Sequence, residues 1–240
     1  YATVNPAANA GLVEGMKGLF NPTSTISSQF KNGMMGEGVL GYDEINMSQS
    51  VKQFTTGSRT NGAVNGAVST QGAESIAIDG VGNAATIEAG DIFTIAGVFA
   101  VNPQTRESTG SLQQFVVTAD ATANGSGEVT VDISPSIYTS ANALATVNSF
   151  PANDAVVTFL GSASTAYPQN LVYHRDAITF ATADLLLPQG VDLASRQVHN
   201  GISMRVVRQY DINNDRMPCR IDVLYGFGVI RPEMAVRLWG

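Results

Sequence analysis

Between Gly57 and Pro168 the chain repeats one pattern: a short run rich in β-branched and aromatic residues, then a turn of Gly, Asn, Ser or Asp. The runs are ESIAID (74–79), DIFTIAGVFAV (91–101), QQFVVTA (113–119), EVTVDIS (128–133) and AVVTFLG (155–161). In the fourth, Val129, Val131 and Ile133 alternate with Glu128, Thr130 and Asp132. Successive side chains of a strand point to opposite faces, so this run has one apolar and one wet face. Five or six such strands predict a small antiparallel barrel or sandwich of about 110 residues.

The flanks have a different texture. Asn5-Pro6 and Asn21-Pro22 each place a capping residue ahead of a proline suited to the first helical position. The first predicted helix carries Leu12, Val13 and Met16, and the second carries Ile26, Phe30 and Met34 on one face. EGVLGYDEINMSQSV (37–51) reads as two short strands about Gly41. TTGSRTNGAVNGAVSTQG (55–72) is small and polar, as expected of a linker or mobile loop. After Pro168, NLVYHRDAITFAT (170–182) reads as strand or helix, and residues 201–228 read as a long β-hairpin. In that hairpin Ile202, Met204, Val206 and Arg208 share one face, Ile221, Val223 and Tyr225 line the return strand, and INNDRMP forms the turn.

Charge follows the same division. Only 14% of the 240 residues are charged and 44% are hydrophobic, which suits a surface partly covered by neighbours and equally a Gly-, Ser- and Thr-rich β protein; composition does not separate the two. The net charge is −7, and residues 57–168 hold the whole imbalance: 9 acids against Arg59 and Arg106. Binding a phosphate backbone requires Lys or Arg to replace its counterions, so the middle of the chain is a poor nucleic-acid partner. Cys219 stands alone, which excludes an intrachain disulfide and fits a reducing compartment. No apolar run is long enough to span a membrane. The first residues, YATVNPAANA, lack a signal peptide and an initiator Met, so a processed product or a piece of a longer protein is expected.

No motif in the chain commits it to chemistry. Asp211-x-Asn213-x-Asp215 has the opening spacing of a calcium loop, but Arg216 stands where a glycine is needed and Asp222 where the glutamate belongs. An Asx-rich hairpin turn is the better reading. His174, His199 and Cys219 have no recognisable metal spacing. Ser195, with Asp192 and His199 nearby, lacks a nucleophile elbow and reads as loop. Gly226-x-Gly228 leads into another strand, where no helix can cradle a phosphate. Asn124-Gly-Ser126 matches a glycosylation acceptor and matters only in a secreted eukaryotic protein. Asp79, Asp91, Asp120 and Asp132 read as solvated strand ends and turns. Arg205, Arg208, Arg216 and Arg220 form the most suggestive cluster. They either pair with Asp211, Asp215 and Asp222 on the hairpin or make an intersubunit salt-bridge surface. No catalytic, cofactor-binding or metal residue is assigned, and no cofactor is expected.

The closing stretch RIDVLYGFGVIRPEMAVRLWG resembles the end of the coat proteins of short-tailed phages of the Salmonella phage P22 type. Arg220, Ile221, Tyr225, Gly226, Arg231, Pro232 and Glu233 carry the likeness. GVLGYDEINMSQSV, EAGDIFTIAGV (88–98) and NLVYHRDAITFAT resemble further segments of that family, in the same order. The resemblance implies the Hong Kong 97-type capsid fold, of α+β class, whose axial domain is interrupted by an inserted all-β barrel. The expected domains are 1–56 (axial, first part), 57–168 (inserted β domain) and 169–240 (axial remainder with the last strands). The family's N-terminal arm, long spine helix and extended loop have no counterpart here, so the chain looks like the C-terminal part of a coat protein. It implies a structural subunit, not an enzyme, that self-assembles into an icosahedral shell around DNA. Its partners would be copies of itself with scaffolding and portal proteins. Direct nucleic-acid binding by this segment is not expected, nor is a membrane. The place would be the virion, with assembly in the bacterial cytoplasm. A β-rich tail or decoration module is the alternative, and a hydrolase built on Ser195 a third class.

Overall fold

The computed structural model describes residues 1–16, 37–39 and 41–239. The second predicted helix, with Ile26, Phe30 and Met34, lies outside the described residues. In chain order the elements are β1 (Ala2–Val4), α1 (Pro6–Met16), β2 (Glu37–Val39), β3 (Tyr42–Met47), β4 (Gln53–Thr55), β5 (Gly62–Val64), β6 (Ala73–Asp79), β7 (Thr86–Ile87), β8 (Ile92–Val101) and β9 (Ser108–Val117). They continue with β10 (Ala121–Thr122), β11 (Val129–Ile137), β12 (Val156–Phe159), β13 (Ala166–Tyr173), β14 (Ile178–Ala183), β15 (Leu193–His199), β16 (Ile202–Arg208), β17 (Cys219–Val229) and β18 (Ala235–Trp239). The described chain is therefore mostly β, with α1 its one α-helix. It divides into two compact units, residues 1–51 with 170–238, and residues 52–169 with Trp239.

The second unit is built on a closed barrel in the order β11–β6–β5–β12–β8–β9. Closure leaves no unpaired sheet edge among these six strands. The alternation of β11 fixes its inward face: Val129, Val131 and Ile133 are all buried, and Glu128, Thr130 and Asp132 are exposed. Ile76, Ile78, Ile95, Phe93 and Phe115 fill the interior. The Phe93 ring lies 5.7 Å from Phe115 and 5.4 Å from Phe159 between centroids, at separations where aromatic quadrupoles add to area burial. Strands β8, β9 and β11 begin and end within a few residues of the runs read from the sequence, and β9 starts earlier, at Ser108.

Part of the expected linker is instead barrel wall. Strand β5 pairs with β6 and with β12. The small residues there meet close backbone approaches. A Cβ on Gly62 would lie 2.1 Å from the Asp79 carbonyl oxygen, and one on Gly57 2.1 Å from that of Thr86. Smallness, taken as a sign of mobility, here permits contact.

Asp91, expected to be solvated, is completely buried. Its Oδ1 accepts from Arg59 Nη2 at 3.0 Å, and its Oδ2 accepts the amides of Gly57 (3.2 Å) and Glu88 (3.0 Å). Arg59, 2% exposed, also donates to the carbonyls of Leu160 (2.8 Å) and Gly161 (3.3 Å) and lies over the Phe159 ring at 4.9 Å. One buried ion pair thus ties four separate backbone groups together.

In the first unit β1 runs parallel to β3 and antiparallel to the end of β13, with Ala2 opposite both Ile45 and Val172. Strand β3 pairs antiparallel with β2, so Gly41 does lie between two short strands. Helix α1 begins where the Asn5-Pro6 signal predicts, and Asn5 Oδ1 accepts the Ala8 amide at 3.0 Å. Leu12 and Val13 pack on a small core of Ala2, Val4 and Ile45. Residues 178–229 form an antiparallel sheet in the order β14–β17–β16–β15.

Candidate assembly surface

The sheet β14–β17–β16–β15 sorts its side chains by register. Met204 is paired with Val223 and Val206 with Ile221, while Phe180 is paired with Phe227 and Thr182 with Tyr225. Directly paired residues project from the same face, so Phe180, Met204, Ile221, Val223, Tyr225 and Phe227 make one apolar surface across three strands. The surface stands in solvent: Phe227 is 78% exposed, Ile221 66% and Tyr225 60%. Phe180 and Tyr225 stack at 6.0 Å between ring centroids. Contiguous apolar area of this kind marks interaction surfaces in folded proteins.

The opposite face is ionic. Arg205 is paired in register with Asp222, and its Nε donates to Asp222 Oδ2 at 3.1 Å. Arg220 reaches the other oxygen at 2.8 Å. Hydrogen bonds from Arg205 first, and then Arg220, hold the Asp222 carboxyl below its usual range. Arg196 meets Asp184 at 3.4 Å. Arg208, projecting from the apolar side beside Leu193, meets Asp192 at 2.9 Å. Three of the four clustered arginines therefore have partners on their own chain. Arg216 joins no ion pair among the described residues, and of the three acids expected as partners only Asp222 serves.

Asp211 and Asp215 shape the hairpin turn. Asp211 and Arg216 close it with backbone hydrogen bonds of 2.8 and 3.3 Å. Asp211 accepts the Asn213 amide at 3.0 Å and the Asn214 side chain at 2.7 Å, which hold its carboxyl below the usual range, the Asn214 bond most strongly. Asp215 accepts the Tyr210 hydroxyl at 2.8 Å. This is the Asx-rich turn read from the sequence.

The other candidates are not brought together. Ser195 and His199 lie four residues apart along β15, about 13 Å at strand rise, so the strand keeps the serine out of reach of the imidazole. No group of three metal-ligating side chains occurs among the described residues. Cys219 is exposed, and His174 lies 3.4 Å from Asp176. Gly226 and Gly228 sit within β17, opposite Ala181 and Thr179. The Asn124 side chain is occupied, donating to Glu128 at 2.8 Å and accepting the amides of Ser126 and Glu128. Asp120 accepts the Ala89 amide at 2.7 Å. Sequence reading found the hairpin half of the apolar face. It missed Phe180 and Phe227, because the pairing of β14 with β17 joins segments far apart in the chain.

A family profile described as "P22 coat protein - gene protein 5" matches residues 1–240. The chain belongs to the P22 coat protein family. It is a structural subunit of a phage capsid, from a family whose capsids assemble from many copies and which is not a family of enzymes. No curated protein matches the chain. Among solved structures, a CUS-3 coat protein I-domain is similar at 27% identity, covering 42% of this chain and 95% of its own, with a TM-score of 0.31. No helix among the described residues of this coat protein is long and apolar enough to cross a membrane.

Proposed function

We propose that this capsid subunit enters the shell through the apolar face of β14–β17–β16–β15, which other coat-protein surface covers when the icosahedral particle forms. The carrying observation is that face itself: aromatic and branched side chains in register across three strands, largely exposed, on a subunit whose function is assembly. Residues 1–56 and 169–240 form the α+β axial domain of the Hong Kong 97-type fold, and residues 57–168 form the domain inserted in it. The division of the chain near Lys52 and Gln169 supports that reading. So does the pairing of β4 with β13, which sets the barrel's incoming and outgoing strands side by side.

The subunit performs no catalysis and holds no cofactor. Scaffolding and portal proteins join it during assembly in the bacterial cytoplasm. It does not bind the packaged DNA directly: Arg59 is consumed inside the barrel, and Arg205, Arg208 and Arg220 are consumed by Asp222 and Asp192.

Phe227→Asp tests the assembly surface. Because Phe227 is exposed, the variant folds with an unchanged circular dichroism spectrum and fails to form particles by electron microscopy. Normal particle yield from folded Phe227→Asp protein would remove this face from assembly.

A further inference from the structure

We propose that Trp239 is the closing residue of the barrel unit: its indole seals the base where the chain enters and leaves, as a strap supplied from far downstream in the sequence. Trp239 groups with residues 52–169, whereas its neighbour Leu238 does not. The reason is the company its ring keeps. It stacks on Tyr167 at 4.9 Å and 18°, and meets Phe54 at 6.0 Å and 41°. Tyr167 and Phe54 are themselves directly paired between β13 and β4. The indole therefore lies across the cross-strand pair that joins the incoming strand to the outgoing one.

The loop after β12 is shaped to receive it. Gly161, at φ +77°, would place a Cβ 2.8 Å from Trp239 Cζ3 and 2.9 Å from Tyr167 Cε2. Any side chain there would displace the stack, and the left-handed backbone independently favours glycine. The loop is tied on its other side. Tyr167 Oη accepts the Ser162 amide at 2.8 Å, and the Leu160 and Gly161 carbonyls accept from Arg59. The strap thus continues through Tyr167 and the 160–162 turn into the buried Arg59–Asp91 pair. Loss of the indole removes both of its aromatic contacts and unfastens one side of a turn that Arg59 holds from the other.

The chain has a single Trp, so the strap carries its own fluorophore. In the native 240-residue chain the indole is shielded from acrylamide and becomes quenchable on unfolding in urea. Trp239→Ala raises amide exchange in residues 160–167 roughly tenfold, the scale of two lost aromatic contacts. Trp239→Phe, which keeps a ring, recovers part of the protection. Exchange in β14–β17 stays as it was in both variants. Native quenching equal to that in urea would overturn the proposal, as would unchanged exchange at 160–167 in Trp239→Ala. Equal acceleration in both units would also overturn it, because it would make Trp239 a general stabiliser and not a strap on the barrel.

Discussion

Val129, Val131 and Ile133 alternate along β11 as Ile221, Val223 and Tyr225 alternate along β17, yet the first set is buried and the second stands in solvent. In the barrel, β11 is one of six strands closed on themselves, so every inward residue finds a neighbour within the same unit. In the four-stranded sheet no second layer covers the corresponding face among the described residues. Alternation states that a strand has an apolar side. Closure or stacking decides whether that side is core or contact surface. The first unit leaves open what the barrel resolves internally, and an assembling subunit has a use for both conditions.

The widest separation between the two regions should appear on truncating one phenylalanine in each. Phe93 is fully buried between Phe115 and Phe159. Phe93→Ala removes a core ring and leaves a cavity, costing about 3–5 kcal/mol. Phe227→Ala removes a ring already in water and should change the stability of the isolated subunit by about 0.5 kcal/mol or less. Urea unfolding of the two variants measures both. A large loss from Phe227→Ala would mean that the sheet face is covered within the subunit, as the barrel interior is.

The two units also differ in how wet their Arg–Asp pairs are. Arg59–Asp91 is dry, with side chains 1% and 0% exposed, while Arg205–Asp222 keeps 15% and 19%. Arg59→Ala strands a buried carboxylate and should cost the barrel about 3–5 kcal/mol. Replacing the pair as Arg59→Met with Asp91→Leu is often neutral elsewhere. Here it should not be. The amides of Gly57 and Glu88 and the carbonyls of Leu160 and Gly161 would lose their partners, at about 1–3 kcal/mol for each buried group left unsatisfied. Thermal unfolding of the double variant decides the matter. Full recovery would show that the pair serves only itself and does not organise the backbone around it.

These two pairs also mark what the sequence made legible. The barrel's strands could be read because alternation and turn chemistry are local, and the α1 cap could be read from Asn5-Pro6. The hairpin of β16 and β17 was visible for the same reason. Arg59 and Asp91 were not, because nothing adjacent in sequence announces a contact between a Gly-rich stretch and a strand start over thirty positions apart. The small, polar residues of 55–72 suggest a linker or mobile loop. Smallness there serves close packing at Gly57 and Gly62, a distinction that resides in the partner. The apolar face was half visible: alternation supplied Ile221, Val223 and Tyr225, and only the pairing of β14 with β17 added Phe180 and Phe227.

The smallest effect concerns acid. Asp222 accepts from Arg205 and Arg220, and those bonds depress its folded pKa. A depressed carboxylate stabilises the fold above its unfolded pKa, near 3.9. That contribution is lost as pH falls through the lower folded value. The sheet should therefore hold its protection through ordinary carboxylate titration and lose some of it only on further acidification. Amide exchange of β16 and β17, corrected for the intrinsic pH dependence, reads the loss. Asp222→Asn should be weaker above that range and flat across it, since it has no charge to lose, so the two proteins should converge in acid. A wild-type sheet with the same flat profile would mean that solvent screening at this partly exposed site cancels the pair. The ionic face would then contribute shape and register, while stability came from the apolar face once covered.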